Sequence, residues 1–591
     1  MALGRTSATD GCPVERRVLN GPNLYFPSPT IKLTLDAGQA LAAGSADVLG
    51  WRISLRVLGT AVGLPGSPAR RDAIAEVAAA LVRRIAARIR RRVPAVAEPG
   101  EHDSVIVAFP FRSRGTAEAL SAAVARAFAD ITTGATTVGA ALTTAGHAVA
   151  GVDPGEEVRP LRPAIPVVAV TGTNGKTTTT RLIAHLLAAG GHIPGWSSTD
   201  GIVIDGTTVE TGDWSGPGGA ARVLAEPAVT VAVTETARGG ILLRGVGTAF
   251  NDVSVVTNIS ADHLGLLGVH TVEQLARVKS VVPRITKPTG WAVLNADDEL
   301  VLGMRTVTRA RPWLYSTDPG NPHLRATLEA GGRAMTVLDG MVVVLRRGLD
   351  PIPVAALADI PVTLAGAARA NVSNVLAAVA AALAMGASQR AIRQGLASFA
   401  SDAAHNAGRL NVYGVGAVTV LLDLAHNEAS LASLLQVAGA LRVPGGVLAA
   451  VVSTPGDRSD DAVHAMGALA AHRAERLVVA GKSKYLRGRG PGELEAVWRA
   501  GAAEAGVGEV PVTGDEVSAL AAVLDGSLPA GRAAAGTTAG TAGLAGPLPD
   551  GSVVAVCALE QRPGLIEEIV RRGGHELDPA EIAKRVAAAR G

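Results

Sequence analysis

The sequence predicts an α/β protein of more than one domain. Three observations carry that prediction. Over 164–400, strand-like runs alternate with helix-like runs, the pattern of a doubly wound parallel sheet. Near the start of that region, a glycine-bearing loop ending in Gly-Lys-Thr joins an apolar run to a helical one. The chain has 591 residues, too many for a single core, and its 48% hydrophobic composition is rich in the small residues that let helices pack closely on sheets.

The elements follow in order. Residues 1–150 read as a smaller α+β unit, with a strand at Val105–Phe109 and a helix at Ala117–Ala129. Asp72–Arg92 is strongly helical and carries Arg83, Arg84, Arg88, Arg90, Arg91 and Arg92. Such a run is either a solvated helix face or an attractor for an acidic polymer. Gly151–Pro163 reads as a charged linker. In the central unit, 164–400, Ile165, Val167, Val168 and Val170 form a short buried strand. Arg181–Leu187 is helical, and Gly190-Gly191 is its stop. Further strand-like runs are Val229–Thr234 and Val253–Asn258. A third α/β unit, 408–591, opens after Gly408 with strands at Ala417–Leu424 and Gly446–Ser453. Residues 530–550 are low in complexity and read as a mobile surface loop.

Composition excludes several function classes. Aromatic residues are 3%, too few for stacking platforms, and a net charge of +3 is small for this length, so neither nucleic acid nor membrane is an expected partner. Cys12 and Cys557 are the only cysteines, which leaves no disulfide framework and no cysteine zinc site. The opening MALGRTSATDGCP lacks the apolar stretch of a signal peptide, and apolar runs such as Val375–Ala387 fall short of a membrane span. A cytoplasmic protein is expected, and self-association into a homo-oligomer is left open.

The chemistry starts at "IPVVAVTGTNGKTTTTRLIAHLL", Ile165–Leu187. Gly172 and Gly175 let backbone N–H groups turn toward one point, where the helix start adds partial positive charge. Lys176 adds a full charge and Thr177 a hydroxyl suited to Mg²⁺. With Thr173, Asn174 and Thr178 they make a polyphosphate cradle, expected to take ATP. The general P-loop places a glycine where this chain has Val170, so a plain strand-to-helix turn is the competing reading. Glu235 closes the Val229–Thr234 strand, and strand ends of α/β sheets face the ligand crevice. The strand Ser254–Thr257 ends at Asn258 and leads to Asp262 and His263, and a helix Val272–Val282 presents Lys279. Glu235, His263 and Lys279 beyond successive strand ends point to a two-metal phosphoryl-transfer site. Glu210–Leu224 reads as a glycine-rich loop. Its Asp213 and Ser215, with Arg238 beyond the next strand, are candidate substrate contacts, against the alternative of solvated loop groups.

"TGTNGKTTT", "ETARGGIL", "VTNISADHLGLLG", "LARVK" and "LNADDE" resemble the ATP-dependent Mur ligase superfamily, and more narrowly the Mur-like domain of cyanophycin synthetases. "ANVSNVLAAVAAALAMG" resembles the family's asparagine helix, with Asn371 and Asn374; "AGRLN" supplies Arg409. "LLDLAHNEASL" gives Asp423, His426 and Asn427, and "PGDRSDD" with "LRGRGPGEL" resembles the family's carboxy-terminal domain. "RRVLNGPNLYFPSPTIKLTLD" is similar to the amino-terminal domain of cyanophycin synthetases, with Asn20 where an arginine is typical. Read alone, Gly21-Pro22-Asn23 is a turn.

The resemblance implies an amide ligase that activates a carboxylate as acyl phosphate and joins it to a small amino acid, on a peptide or polymer acceptor. It implies Thr177 and Glu235 holding one Mg²⁺ and His263 helping to hold a second, Asn374 facing the base, Asp423 the ribose, Arg409 the γ-phosphate, and a carbamylated Lys279, against an unmodified lysine near phosphate. His426 and Asn427 are implied substrate contacts. Two departures qualify the substrate. The ATP-grasp domain that lies between these parts in cyanophycin synthetases is replaced by the 151–163 linker, so the chain is not expected to build that polymer alone. Lys482 and Lys484 stand where the resemblance leads one to expect acids. A non-ligase P-loop ATPase or kinase, and a non-catalytic ATP-binding protein, are the competing functions. The loop of folylpolyglutamate synthetases usually reads Gly-Lys-Gly-Ser, so Lys176-Thr177-Thr178 favours the Mur side.

Overall fold

The computed structural model describes residues 15–59, 61–528 and 546–590; Cys12 and most of the 530–550 stretch lie outside them. Three sheets follow one another along the chain. The first is antiparallel, in the order β1-β2-β4-β3, with β1 Glu15–Leu19, β2 Thr30–Asp36, β3 Val96–Pro99 and β4 Ser104–Pro110. Ile31, Leu33 and Leu35 alternate inward along β2 and meet the helices Pro68–Arg88, Arg114–Thr132 and Val138–Ala150 in one apolar cluster. Ser67 caps the first of these helices, and Pro68 starts it. Three residues of the arginine run are tied to their own unit. Arg83 donates to the Ala95 carbonyl, Arg84 to the Leu55 carbonyl and Arg88 to Thr143 Oγ1. The 151–163 segment does not hang free, because Arg114 N–H donates to the Glu156 carbonyl and Val158 N–H to the Arg112 carbonyl.

The second sheet has eleven strands in the order β15-β14-β13-β12-β11-β10-β5-β9-β6-β7-β8. They are β5 Val167–Thr171, β6 Pro194–Ser198, β7 Gly201–Ile204, β8 Thr207–Thr211, β9 Val231–Glu235, β10 Asn251–Val256, β11 Thr286–Asn295, β12 Arg311–Tyr315, β13 Arg333–Leu338, β14 Met341–Leu345 and β15 Ile352–Ala356. The strands from β13 through β6 run parallel, as expected, but the sheet is mixed: β7-β8 closes one edge antiparallel and β14-β15 the other. Two-residue turns with positive φ at both positions, Asp205-Gly206 (46° and 76°) and Asp339-Gly340 (48° and 74°), join β7 to β8 and β13 to β14.

All five residues of β5 are buried, and each buried valine contributes roughly 1.5–3 kcal/mol. The chain passes from β5 to β6 on the β9 side and returns past β5 to β10 on the other, so the strand order switches there and a crevice opens above the carboxyl end of β5. Val170 pairs with Glu235, and Thr171 with Val256. Two expectations need correction. Val272–Val282 is not one helix: Val272–Lys279 ends at Ser280, and a separate short helix Val281–Arg284 follows because Pro283 cannot continue the ladder. Glu210–Leu224 is not one loop: β8 ends at Thr211 and a helix runs Pro217–Leu224, started by its proline.

The third sheet has the order β20-β19-β18-β21-β17-β16-β22. Its strands are β16 Asn411–Val415, β17 Val418–Asp423, β18 Leu448–Val452, β19 Arg476–Ala480, β20 Val512–Thr513, β21 Val553–Cys557 and β22 His575–Glu576. β17 ends at Asp423, whose carboxylate accepts from Leu410 N–H.

Candidate active site

The loop after β5 is shaped by contacts that only glycine permits. Gly172 has φ +145°, and a Cβ there would come within 1.9 Å of Thr257 Oγ1. Gly175 has φ +83°, and its Cβ would come within 2.2 Å of Asn374 Oδ1. The loop is also pinned from β10. Asn174 N–H donates to Asn258 Oδ1 at 2.9 Å, and Thr257 Oγ1 donates to the Asn174 carbonyl at 2.6 Å. Thr173 Oγ1 donates to the Ser260 carbonyl.

The helix Lys176–Ala189 starts at the loop. Lys176 Nζ donates to the Thr173 carbonyl at 2.8 Å and lies 4.0 Å from Glu235 Oε1. Thr177 Oγ1 donates to Glu235 Oε2 at 2.9 Å. Glu235 is 2% exposed, and its Oε1 has no hydrogen-bond partner. A buried carboxylate oxygen without a donor is costly unless a cation completes it. Lys279, the last residue of its helix, is buried and donates from Nζ to the Gly172 carbonyl at 2.5 Å. Burial first, and the Lys176 charge second, hold its amine well below the usual lysine range.

His263 sits at φ +53°, on a turn that Arg238 braces by donating to the His263 carbonyl at 2.7 Å and the Leu266 carbonyl at 3.2 Å. Arg238 therefore positions the turn. The His263 ring meets the third unit: Nδ1 is 2.8 Å from Arg458 Nη1 and 3.2 Å from Asp457 Oδ2. One nitrogen cannot accept from the arginine and donate to the carboxylate at once, so the two contacts belong to different tautomers. Arg458, 5% exposed, also lies 3.1 Å from Asp262 Oδ1. Burial works to raise the Asp262 carboxyl, but His263, Arg458, His426 and Lys176 outweigh it and hold it below the usual value.

More of the third unit arrives at the loop. Arg409 donates to Thr177 Oγ1 at 3.2 Å. The side-chain amides of Asn174 and Asn427 exchange hydrogen bonds at 3.2 and 3.1 Å. Asn427 also caps the helix Glu428–Leu441. Asp423 accepts from Leu410 N–H, and burial raises its carboxyl to about 6 against the pull of Arg409. His426 Nδ1 lies 2.7 Å from the Leu424 carbonyl, and burial lowers its ring to about 4.

The structure thus gathers Thr173, Asn174, Lys176, Thr177, Glu235, Lys279, Asn374, Arg409 and Asn427 around one loop. Asn371 is one step removed: it donates to the Val362 carbonyl and accepts from Asn374. Asp213 and Ser215 hydrogen-bond each other in a tight turn. Lys482 is turned into the third unit, 3.4 Å from Glu560 and 3.6 Å from Glu516. Sequence reasoning passed over Arg458, although "PGDRSDD" contains it. It also passed over Arg181, buried on the loop helix, which donates to Asp200 and to the Ala407 carbonyl. Thr178 shares Asn406 with that arginine. An arginine on a helix face carries no local signal of a partner more than two hundred residues away.

The Mur ligase middle domain model matches residues 170–382, and the Mur ligase, glutamate ligase domain model matches 408–533. A cyanophycin synthetase of Synechocystis sp. is 42% identical over 329 residues, 56% of this chain and 37% of that protein. A UDP-N-acetylmuramoyl-L-alanyl-D-glutamate--2,6-diaminopimelate ligase of Corynebacterium efficiens is 30% identical over 374 residues, 61% of this chain and 66% of that protein. Among solved structures, a bifunctional folylpolyglutamate synthase/dihydrofolate synthase with Mn, AMPPNP and L-glutamate bound aligns with 69% of this chain and 91% of its own, at 18% identity and TM-score 0.49. The chain spans well under half the length of the cyanophycin synthetases it matches. Over the two matched stretches, which together exceed half of its length, the chain belongs to the Mur ligase family.

Proposed function

We propose that the protein is an ATP-dependent amide ligase: it phosphorylates a carboxylate and joins the resulting acyl group to the amine of an amino acid. One observation carries the reading. Glu235 presents a buried oxygen without a donor beside Lys176 and Thr177, at the mouth of a phosphate-shaped loop that Arg409 reaches from the other unit. The two competing readings leave the Arg409 and Asn427 contacts without a purpose. The similarity to cyanophycin synthetases and peptidoglycan ligases supports the same class of chemistry.

In this reading Lys176 and the loop N–H groups hold the ATP phosphates, leaving the Thr173 carbonyl that Lys176 now occupies. The Glu235 and Thr177 oxygens fit a divalent ion, for which we infer Mg²⁺ and which would offset phosphate charge during transfer. Among the described residues no group of three or more His, Cys, Asp and Glu forms a protein-only cage, so phosphate oxygens would complete the coordination. His263, beyond the end of β10 and across β5 from Glu235, is proposed to hold a second ion, whose charge would offset that of the acceptor carboxylate. Lys279, favoured as a neutral amine by burial, is suited to carbamylation. Asp423 and Asn374 are assigned to the ribose and the base. The acceptor carboxylate attacks the γ-phosphorus and ADP leaves. The amine nitrogen then attacks the acyl carbon, phosphate leaves, and one proton passes to solvent. A peptide or polymer acceptor, a small amino acid as amine and a cytoplasmic setting complete the proposal.

The test is phosphate release from ATP across panels of carboxylate acceptors and amino acids. Release that needs both partners, with an amide product in the mass spectrum, is the expected result. Release that no amine stimulates would sink the ligase reading. Lys176→Ala is expected to remove turnover while the melting temperature stays within a few degrees, since the side chain faces the loop and not a core.

A further inference from the structure

The segment Gly21–Leu24 is a turn by its residues, yet the structure uses it as a wedge between units. Asn20 N–H donates to the Arg244 carbonyl at 2.9 Å, and Val246 N–H donates to the Pro22 carbonyl at 2.7 Å. Gly21 lies so close that a Cβ would come within 1.9 Å of the Val246 carbonyl oxygen. Gly245, at φ +83°, faces it from the other side, with the Gly21 oxygen 2.7 Å from its own missing Cβ. Asn23 is fully buried and locks the wedge: Nδ2 reaches the Gly21 and Ser28 carbonyls and Thr30 Oγ1, while Oδ1 accepts from Tyr25 and Phe26 N–H. Arg284 clamps it by donating to the Asn23 carbonyl at 2.5 Å. Leu24 packs into the apolar cluster containing Ile241 and Leu275.

Those two residues belong to the helices Arg238–Arg244 and Val272–Lys279. The first begins with Arg238, which holds the His263 turn, and the second ends with Lys279, which bonds the Gly172 carbonyl. Glu98 of the first unit adds an ion pair to Arg277 at 3.2 Å, and Glu101 a hydrogen bond to the His270 ring at 2.8 Å. We propose that Gly21–Leu24 is a positioning element of the ligation site, through which the amino-terminal unit sets the placement of Arg238 and Lys279. The functional part of this inference rests on the ligase reading; the mechanical part does not.

Gly21→Ala in the full chain tests both parts. Hydrogen–deuterium exchange is expected to quicken in 238–244 and 272–284 while the phosphate-loop helix keeps its protection. ATP affinity is expected to stay within about twofold, while kcat of amine-dependent phosphate release falls by roughly tenfold to a hundredfold, the scale of a misplaced reacting group. Arg284→Met should reproduce the effect, and Arg284→Lys, which keeps one donor, should recover part of it. Unchanged exchange in both helices overturns the wedge. Quickened exchange with unchanged kcat overturns its role in positioning. ATP binding lost in step with kcat reduces the wedge to a stabilising contact. Should the wild type show no amine-dependent release at all, the ligase reading fails while the exchange data still judge the wedge.

Discussion

His426 is a base kept neutral. Burial lowers its ring from 6.5 to about 4, so between those values the unfolded chain binds a proton that the folded chain refuses. Stability is therefore lost as pH falls from about 6.5 toward 4, and no further loss from this group follows below that. A full shift of this size corresponds to on the order of 3 kcal/mol, and the ring's partial exposure brings the expected loss nearer 1–2 kcal/mol. Urea unfolding at pH 7 and pH 4.5 should show a smaller drop for His426→Gln than for the wild type; equal drops would refute the assignment. His263 poses a different question. His263→Ala should keep ATP binding by calorimetry, because Lys176, Thr177 and Glu235 remain, while losing ligation by roughly a hundredfold or more through misplacement of the acceptor. Loss of ATP binding as complete as that of Lys176→Ala would make it a nucleotide contact. Residues of this kind were legible because each stands at a strand end or beside a glycine. Arg458 and Arg181 were not, since their partners come from distant segments and leave no periodic trace.

At the scale of the element, the phosphate loop is shaped by what a side chain would strike. Gly175→Ala combines a positive φ with a Cβ 2.2 Å from Asn374 Oδ1, so the loop or the asparagine helix must move. We expect ATP affinity to fall by about tenfold or more with a loss on the order of 1–3 kcal/mol in stability; a variant with wild-type affinity would show that the loop tolerates displacement. The parallel strands of the second sheet could be read from their unbroken apolar runs. The hairpins β7-β8 and β13-β14 could have been read too, because Asp205-Gly206 and Asp339-Gly340 are the dipeptides that two-residue turns demand. They were overlooked since a βα alternation was the stronger pattern. The break at Ser280 had a signal in Pro283, outweighed by helical spacing on either side.

At the scale of the whole molecule, the second and third units meet through Arg458, Arg409 and the Asn174–Asn427 pair. Arg458→Met removes the ion pair to Asp262 while keeping apolar volume. It should lower kcat with little change in ATP affinity and raise the radius of gyration in solution scattering, because the seam loses its most buried cation; unchanged scattering and kcat would assign closure to the other contacts.

The paired amides of Asn174 and Asn427 have a consequence for timing. They join side chain to side chain across the two units, so opening the seam means breaking both bonds. On the ligase reading, product release through that seam breaks them once per turnover. The first catalytic round should therefore run ahead of the steady rate, visible as a burst of ADP in rapid-quench experiments. Asn427→Ala should shrink that burst relative to the rate that follows, as release ceases to be the slow step.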